Sequence, residues 1–499
     1  MGNPSPSASN VAAALAQDKL GAPRIAQFAL SAAATLTVVA GVIPTGYAVT
    51  GIVGLPLAFV LLGVVLVVFC VGYNAMSRRI SNAGAFYAYI AQGVGRPVGV
   101  MAAWIAMASY NLLQVGLYGI FGAVGAPLLN SWLGLNWAWW GYSLIAWGLV
   151  AILGLAQIEF NGSVLGVLMV AEVLVILVYF VAFVSHPAGG QLTFTTFSPS
   201  HLFVSGWGAL LVIAVTGFVG FESAAFYSEE ARDKHRTVPK ATYLCIGLIA
   251  VLYCLSSWAQ SVVTGPDHVV AVAGKDGAEM VFMLAATTLG SAWSTIGHVL
   301  LLTSVVAAMI SYHASASRYV FSLGREGVLP SAFGRTLPRT GAPLWGSLTQ
   351  TIVGLVVILA YAKAGLDPLV NLFFWLGTTG GFGVLVLLAV TSAAVIGYFR
   401  RNGGETPWRA VIAPSIALVA LVAAVWLSVV NFATLLGVDP TSPARWLFLV
   451  GFLVVAVGAL LWAMYLKARR PGVYQRIGLG VGADTSRTSL LDDRAGAIL

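Results

Sequence analysis

The chain has 499 residues, of which 59% are hydrophobic and 8% charged, with a formal net charge of +8. A typical soluble domain carries about 25% charged residues, so this composition excludes a water-soluble enzyme. The basic residues lie in short connections between long apolar blocks, with no Lys/Arg-rich run interleaved with aromatics, which excludes a nucleic-acid partner and matches the charge pattern that orients membrane proteins.

Residues 1–25 are rich in Ser, Ala and Pro and lack a basic segment followed by an apolar core and a cleavage site, so they read as a cytoplasmic tail. Twelve apolar blocks follow, near 26–49, 53–74, 98–124, 138–157, 163–185, 204–226, 241–263, 291–317, 344–363, 368–397, 410–432 and 445–467. Each is close to the roughly 20 residues that cross a bilayer as a helix. They predict an all-α membrane protein with twelve transmembrane helices. The connection 76–97, with Phe86, Tyr87 and Tyr89, reads as an amphipathic stretch at the inner surface, and 279–290 as a short interfacial helix. Residues 468–499 are polar, without apolar periodicity, and read as a disordered cytoplasmic tail. With the N-terminus inside, 22 of the 25 Lys and Arg residues fall on the cytoplasmic side, leaving Lys275, Lys363 and Arg445 outside, so both termini are placed in the cytoplasm. The three cysteines, Cys70, Cys245 and Cys254, lie inside apolar blocks with no CxxC spacing and read as small apolar fillers.

Two spans carry helix-breaking residues at mid-depth. The first contains Gly41-Val42-Ile43-Pro44-Thr45-Gly46, and the sixth Thr216-Gly217-Phe218-Val219-Gly220. Proline removes a backbone donor and glycine weakens a helix. In lipid, unpaired backbone groups survive only where something else satisfies them. The breaks are five spans apart, an odd number, so the two segments run in opposite directions, the arrangement that marks a transporter's binding site. Glycines that merely permit close helix packing are the alternative. A half-helix beginning near Thr45 and Gly46 would present free amides to a carboxylate. Free carbonyls at the preceding ends would favour an ammonium group, so a small zwitterion satisfies both.

Gly220-Phe221-Glu222-Ser223-Ala224, then Glu229-Glu230-Ala231 and Thr237-Val238-Pro239-Lys240-Ala241, resemble the sixth-span signature of the amino acid–polyamine–organocation permeases. Ser317-Arg318 with Gly324-Arg325-Glu326-Gly327-Val328-Leu329-Pro330, and Asn82-Ala83-Gly84-Ala85-Phe86-Tyr87, resemble that family's loops after the eighth and second spans. The resemblance covers about residues 25–465. It implies a LeuT-like five-plus-five inverted repeat: a first repeat over 26–185, a second over 204–397, and two further helices over 410–467. It also implies that Thr45 and Gly46 donate to a carboxylate and that the carbonyls of Val42, Thr216 and Val219 accept from an amine. Phe218 is similar to the family's gating aromatic, and Asn111, Gln114 and Trp375 to pocket residues. One departure stands out: where the family has Gly-x-Gly, this chain has Pro44-Thr45-Gly46, and proline cannot donate.

Glu172, in the middle of the fifth span, is a carboxylate at a depth where charge costs about 2.5–3.5 kcal/mol. Proton-coupled relatives place a lysine near this position, over what is a sodium site in other members. A glutamate here could bind a proton, accept sodium, face a cationic substrate, or be structural. Glu222 occupies a position where relatives' carboxylates are implicated in coupling, with a structural role as the alternative. His298 and His313 lie in the eighth span, and Glu159 lies near the fourth connection, where it reads as solvated. No Walker motif, HExxH or GxGD pair is present, so neither ATP drive nor an intramembrane enzyme is expected. The expected activity is secondary uptake of a small amino acid or related amine, driven by the proton gradient, with no cofactor. Sodium coupling, exchange and polyamine uptake are the alternatives, and a channel is a more distant one.

Overall fold

The computed structural model describes residues 20–80, 82–156 and 158–480, with the backbone alone for 158–165 and Lys234. Residues 1–19 of the N-terminal tail, the tail beyond 480 and the Glu159 side chain lie outside the described residues.

Among the described residues there is no β-strand, only two isolated bridges, and 11 helices are long and apolar enough to cross a membrane. In chain order they are α1 (Ala22–Thr50), α2 (Leu55–Arg79), then after the short α3 (Ala85–Gly93) α4 (Arg96–Leu133), and after α5 (Trp139–Leu153) α6 (Ile158–Ser185). The second series is α7 (Trp207–Tyr227), α8 (Lys234–Thr264), then after α9 (Met280–Leu289) α10 (Ser291–Glu326), α11 (Leu344–Ala364) and α12 (Pro368–Asn402). Two more spans, α13 (Trp408–Val430) and α14 (Ala444–Arg469), complete the set. The expected fourth span coincides with α5, an apolar helix whose 15 residues give about 22 Å against a hydrocarbon core of about 30 Å, shorter than the other eleven.

The outer surface is apolar. Ile152, Val167 and Val419 are each more than 70% exposed, and Leu453, Val454 and Trp426 face outward beside them. Such a surface would aggregate in water and is matched by lipid. The chain is thus a multi-pass membrane protein. By contrast α1 and α7 are almost wholly buried. They pack reciprocally: Ala22–Ala33 lies against Phe221–Tyr227, and Ile43–Thr50 against Trp207–Phe218. Phe28 stacks on Tyr227 with centroids 4.7 Å apart. Leu20 donates to the Glu230 carbonyl at 3.0 Å and accepts from Arg232 N at 2.9 Å, fastening the start of α1 to the chain that follows α7. The long α4 packs against α10, α12 and α14 on the other side of this pair.

The end where α2 and α10 finish is closed by polar contacts. Arg318 makes two bonds to Glu230, at 2.9 and 3.0 Å, and its guanidinium lies 4.4 Å from the Tyr227 ring centre. Arg325 holds Glu229 at 2.7 and 2.8 Å, and Glu229 also accepts from Ala83 N. Burial pushes the Glu230 carboxyl above its ordinary value, with Arg318 acting against that shift. Residues 471–480, expected to be part of a disordered tail, instead form α15 (Pro471–Arg476) and a strap that docks on this end. Gly478 N and Gly480 N donate to the buried Glu326 carboxylate at 2.7 and 2.8 Å. Asn82 and Tyr87 donate to the same carboxylate. The polar composition of the strap thus serves a polar receptor rather than water.

Candidate functional site

Both central helices are interrupted, but only one at the expected place. In α7 the helix ends at Phe218, Val219 is extended (ψ 129°), Gly220 takes φ 123°, and a 3-10 turn runs over Phe221–Tyr227. A Cβ on Gly220 would lie 2.6 Å from Ala33 N, so only glycine allows this approach. In α1 the break is at Ala34, which adopts a left-handed conformation (φ 50°, ψ 60°). The expected break at Gly41–Gly46 is corrected. Val38–Val42 form a wide π turn in which Ile43 N donates to Val38 O, and the helix then continues through Pro44, Thr45 and Gly46 to Thr50. The wide turn accommodates Pro44 in the first turn of Ile43–Thr50, where its missing donor costs little.

Beyond Ala34 the chain starts a new half-helix, whose first amides belong to Thr35, Leu36 and Thr37. Glu172 of α6 sits at this positive end. Its Oε2 accepts from Thr35 Oγ1 at 2.9 Å and from Ser304 Oγ of α10 at 2.8 Å, and the Leu36 amide also donates to it. Glu172 is 4% exposed and forms no ion pair among the described residues. Glu222 sits on the α7 side. One oxygen accepts from Gly220 N at 2.9 Å, tying off the turn, and the other from Tyr110 Oη at 2.7 Å. Tyr73 Oη donates to the Glu222 carbonyl at 2.9 Å.

A cavity of about 80 Å³ opens at the two breaks. Its α1 wall is Ala33, Ala34, Thr37, Val38, Gly41 and Val42, facing Ile213 and Thr216 of α7. Leu113 and Leu117 of α4, Tyr312 of α10, and Phe373, Phe374, Gly377 and Thr378 of α12 complete it. None of these side chains is charged. Thr37 Oγ1 is buried and makes no hydrogen bond among the described residues. Tyr312 Oη donates to the Val219 carbonyl at 3.3 Å. From Tyr312 a column of rings, Tyr110, Tyr319 and Phe226, leads toward the Arg318–Glu230 pair, with neighbouring centroids 5.4–6.1 Å apart.

Of the residues expected to bind substrate, Val42 and Thr216 line this cavity, and the Val219 carbonyl stands behind Tyr312. Pro44, Thr45 and Gly46 lie in regular helix outside the lining, with Gly46 packed on Leu55 and Leu210. Phe218 faces away, against Phe59 and Tyr253. Asn111 bonds back to the Met107 carbonyl, Gln114 bridges Tyr118 and His313, and Trp375 donates to the Leu436 carbonyl. The helical period explains which of them line the cavity. Adjacent residues on a helix point about 100° apart, so Leu113 and Leu117 occupy the cavity face that Asn111 and Gln114 do not. Phe374 and Thr378 likewise replace Trp375. His313 is held between Gln114 and Ser347, and His298 between Ser294 and Glu279.

The chain is similar to proteins that move small amines. The low-affinity putrescine importer PlaP of Escherichia coli (strain K12) is 26% identical over 395 residues, covering 72% of this chain and 75% of the relative. The branched-chain amino acid permease BcaP of Lactococcus lactis subsp. cremoris (strain MG1363) is 24% identical, covering 71% and 76%. The lysine-specific permease LysP of the same organism is 30% identical over 160 residues, covering 32% and 31%. The profile of the amino acid permease family matches residues 28–473, between the first turns of α1 and the strap. An uncharged pocket held open by two interrupted helices is the equipment of a permease rather than an enzyme, and the protein belongs to the amino acid permease family.

Proposed function

We propose that the protein imports a small neutral amino acid with an apolar side chain across the cell membrane, with both termini in the cytoplasm, by proton symport. The observation that carries the reading is the cavity at the two breaks. It has apolar walls, no charged lining side chain, the buried Thr37 hydroxyl without a partner among the described residues, and helix-end amides and carbonyls beside it. The half-helix start suits a carboxylate beside Glu172, which takes the Leu36 amide but leaves those of Thr35 and Thr37, and the Val219 carbonyl, which accepts from Tyr312, keeps a second lone pair for an ammonium. Leu113, Leu117, Phe373 and Phe374 offer room for one apolar side chain. Orientation follows from the excess of Lys and Arg on the side that holds Arg78, Arg325 and Arg401.

Glu172 is the proposed proton carrier. Ionised, it clamps the new start of α1 to Ser304; protonated, it gives up charge at a helix end that favours an anion, and the clamp weakens. Glu222 holds the turn of α7 through Gly220. Symport of one net positive charge across about 100 mV supplies about 2.3 kcal/mol, or about 50-fold accumulation. No cofactor enters this scheme.

A second reading, uptake or exchange of a diamine, is favoured by the likeness to a putrescine importer and by the carboxylate of Glu172 beside the break. Uptake of leucine, alanine and putrescine into proteoliposomes, with pH and sodium gradients imposed separately, decides between them. Leucine or alanine accumulation under a pH gradient alone is expected. Uptake of putrescine alone would overturn the first reading, and dependence on sodium would overturn the proton scheme.

A further inference from the structure

We propose that the Arg-rich end of the protein carries a binding site for the phosphate of an anionic phospholipid, in a pocket of about 560 Å³ between α3, α4, α12 and the C-terminal strap. Its polar walls are Arg96, Arg401, Gln92 and Asn402, and its strap side is Tyr474, Ile477 and Leu479. None of its lining residues is acidic.

Both guanidinium groups are held in place by neutral partners. Arg401 donates to the Gln92 and Gly93 carbonyls and through Nε to the Gly397 carbonyl. Arg96 donates to the Gln475 carbonyl at 3.1 Å and lies 5.7 Å from the Tyr474 ring centre. Carbonyls and a ring fix the direction of a guanidinium without cancelling its charge. Arg96 also opens α4, a 38-residue helix, so the positive end of that helix faces the same space. Fixed positive charge with no acid among the lining residues selects an anion, the Glu326 carboxylate behind the strap being taken up by Gly478 N, Gly480 N, Asn82 and Tyr87, and the forked donors of arginine match a phosphate.

Position selects the lipid as the source of that phosphate. The pocket sits where α12 ends and α4 begins, and both are spans, so it opens at headgroup depth. The apolar Ile477, Leu479 and Pro97 line the same pocket, and Val94, 45% exposed, lies next to Gly95 at its edge, where acyl chains would run. Basic pockets between spanning helices are suited to anionic headgroups.

The full chain in nanodiscs of phosphatidylcholine containing increasing phosphatidylglycerol, read by native mass spectrometry, tests the proposal. The wild-type protein is expected to retain phosphatidylglycerol in preference to phosphatidylcholine. Arg96→Gln with Arg401→Gln should weaken that retention by about 10- to 30-fold. Loss of Arg401 also frees the Gln92 and Gly93 carbonyls, so Arg96→Gln alone serves as the gentler variant, with a loss of about 3- to 10-fold. Equal retention by the wild type and the single variant would overturn the site. Inorganic phosphate that displaces the lipid at millimolar concentration would overturn the lipid and leave a free-anion site.

Discussion

The two interrupted helices reach the same result with different residues. In α7 the interruption depends on Gly220, whose φ of 123° and contact with Ala33 admit no side chain. In α1 it depends on Ala34, the one non-glycine residue with positive φ among the described residues. A left-handed alanine is disfavoured by about 1–2 kcal/mol, so the α1 break persists because its surroundings hold it: Glu172 at the new helix start and Gly220 against the preceding turn. One break is built into its own sequence, and the other is imposed by its neighbours.

That contrast can be broken most forcefully at Gly220. Gly220→Ala should cost on the order of 3 kcal/mol and abolish uptake, measured together with the yield of monodisperse protein in detergent. Wild-type uptake in this variant would show that the two breaks do not touch. Next comes Glu172→Gln, expected to reduce proton-driven accumulation by at least about tenfold, a loss within the roughly 50-fold that one charge supplies. Its uptake should also lose its dependence on pH, whereas Glu222→Gln should lower uptake at every pH without moving the profile. The reverse pattern would exchange the two roles. Thr37→Val removes one hydroxyl with no partner among the described residues. If that hydroxyl meets substrate, KM should rise about 3- to 10-fold, a loss near 1 kcal/mol, with an unchanged KM placing substrate elsewhere. Ala34→Gly sharpens the comparison with the smallest effect. Relief of the left-handed strain is offset by the greater freedom of glycine in the unfolded chain. The melting temperature should therefore move by no more than about 2 °C.

Much of this architecture is legible in the sequence because lipid enforces it. The long apolar blocks mark the spans, and Gly217-Phe218-Val219-Gly220 marks the α7 break through the residue that requires it. The α1 break is not legible in the same way. Ala32-Ala33-Ala34 is a run of the best helix former, and what bends it comes from α6 and α7, far away in the chain. Gly41, Pro44 and Gly46 draw attention instead, although a π turn absorbs the proline. The cavity face of α4 is harder to read: the resemblance implies Asn111 and Gln114, while the cavity is lined by the apolar pair Leu113 and Leu117. The strap was hidden by its polar composition, which suits docking on Glu326 as well as it suits water.

The backbone bonds between Leu20 and the chain at Glu230 and Arg232 carry a mechanical consequence. They rivet the foot of α1 to the foot of α7, and the Phe28–Tyr227 stack braces the joint. Any displacement of one segment below its break would therefore carry the other with it, with Ala34 and Gly220 as paired pivots. Cross-linking the two feet should leave turnover intact, whereas pinning either pivot should stop it.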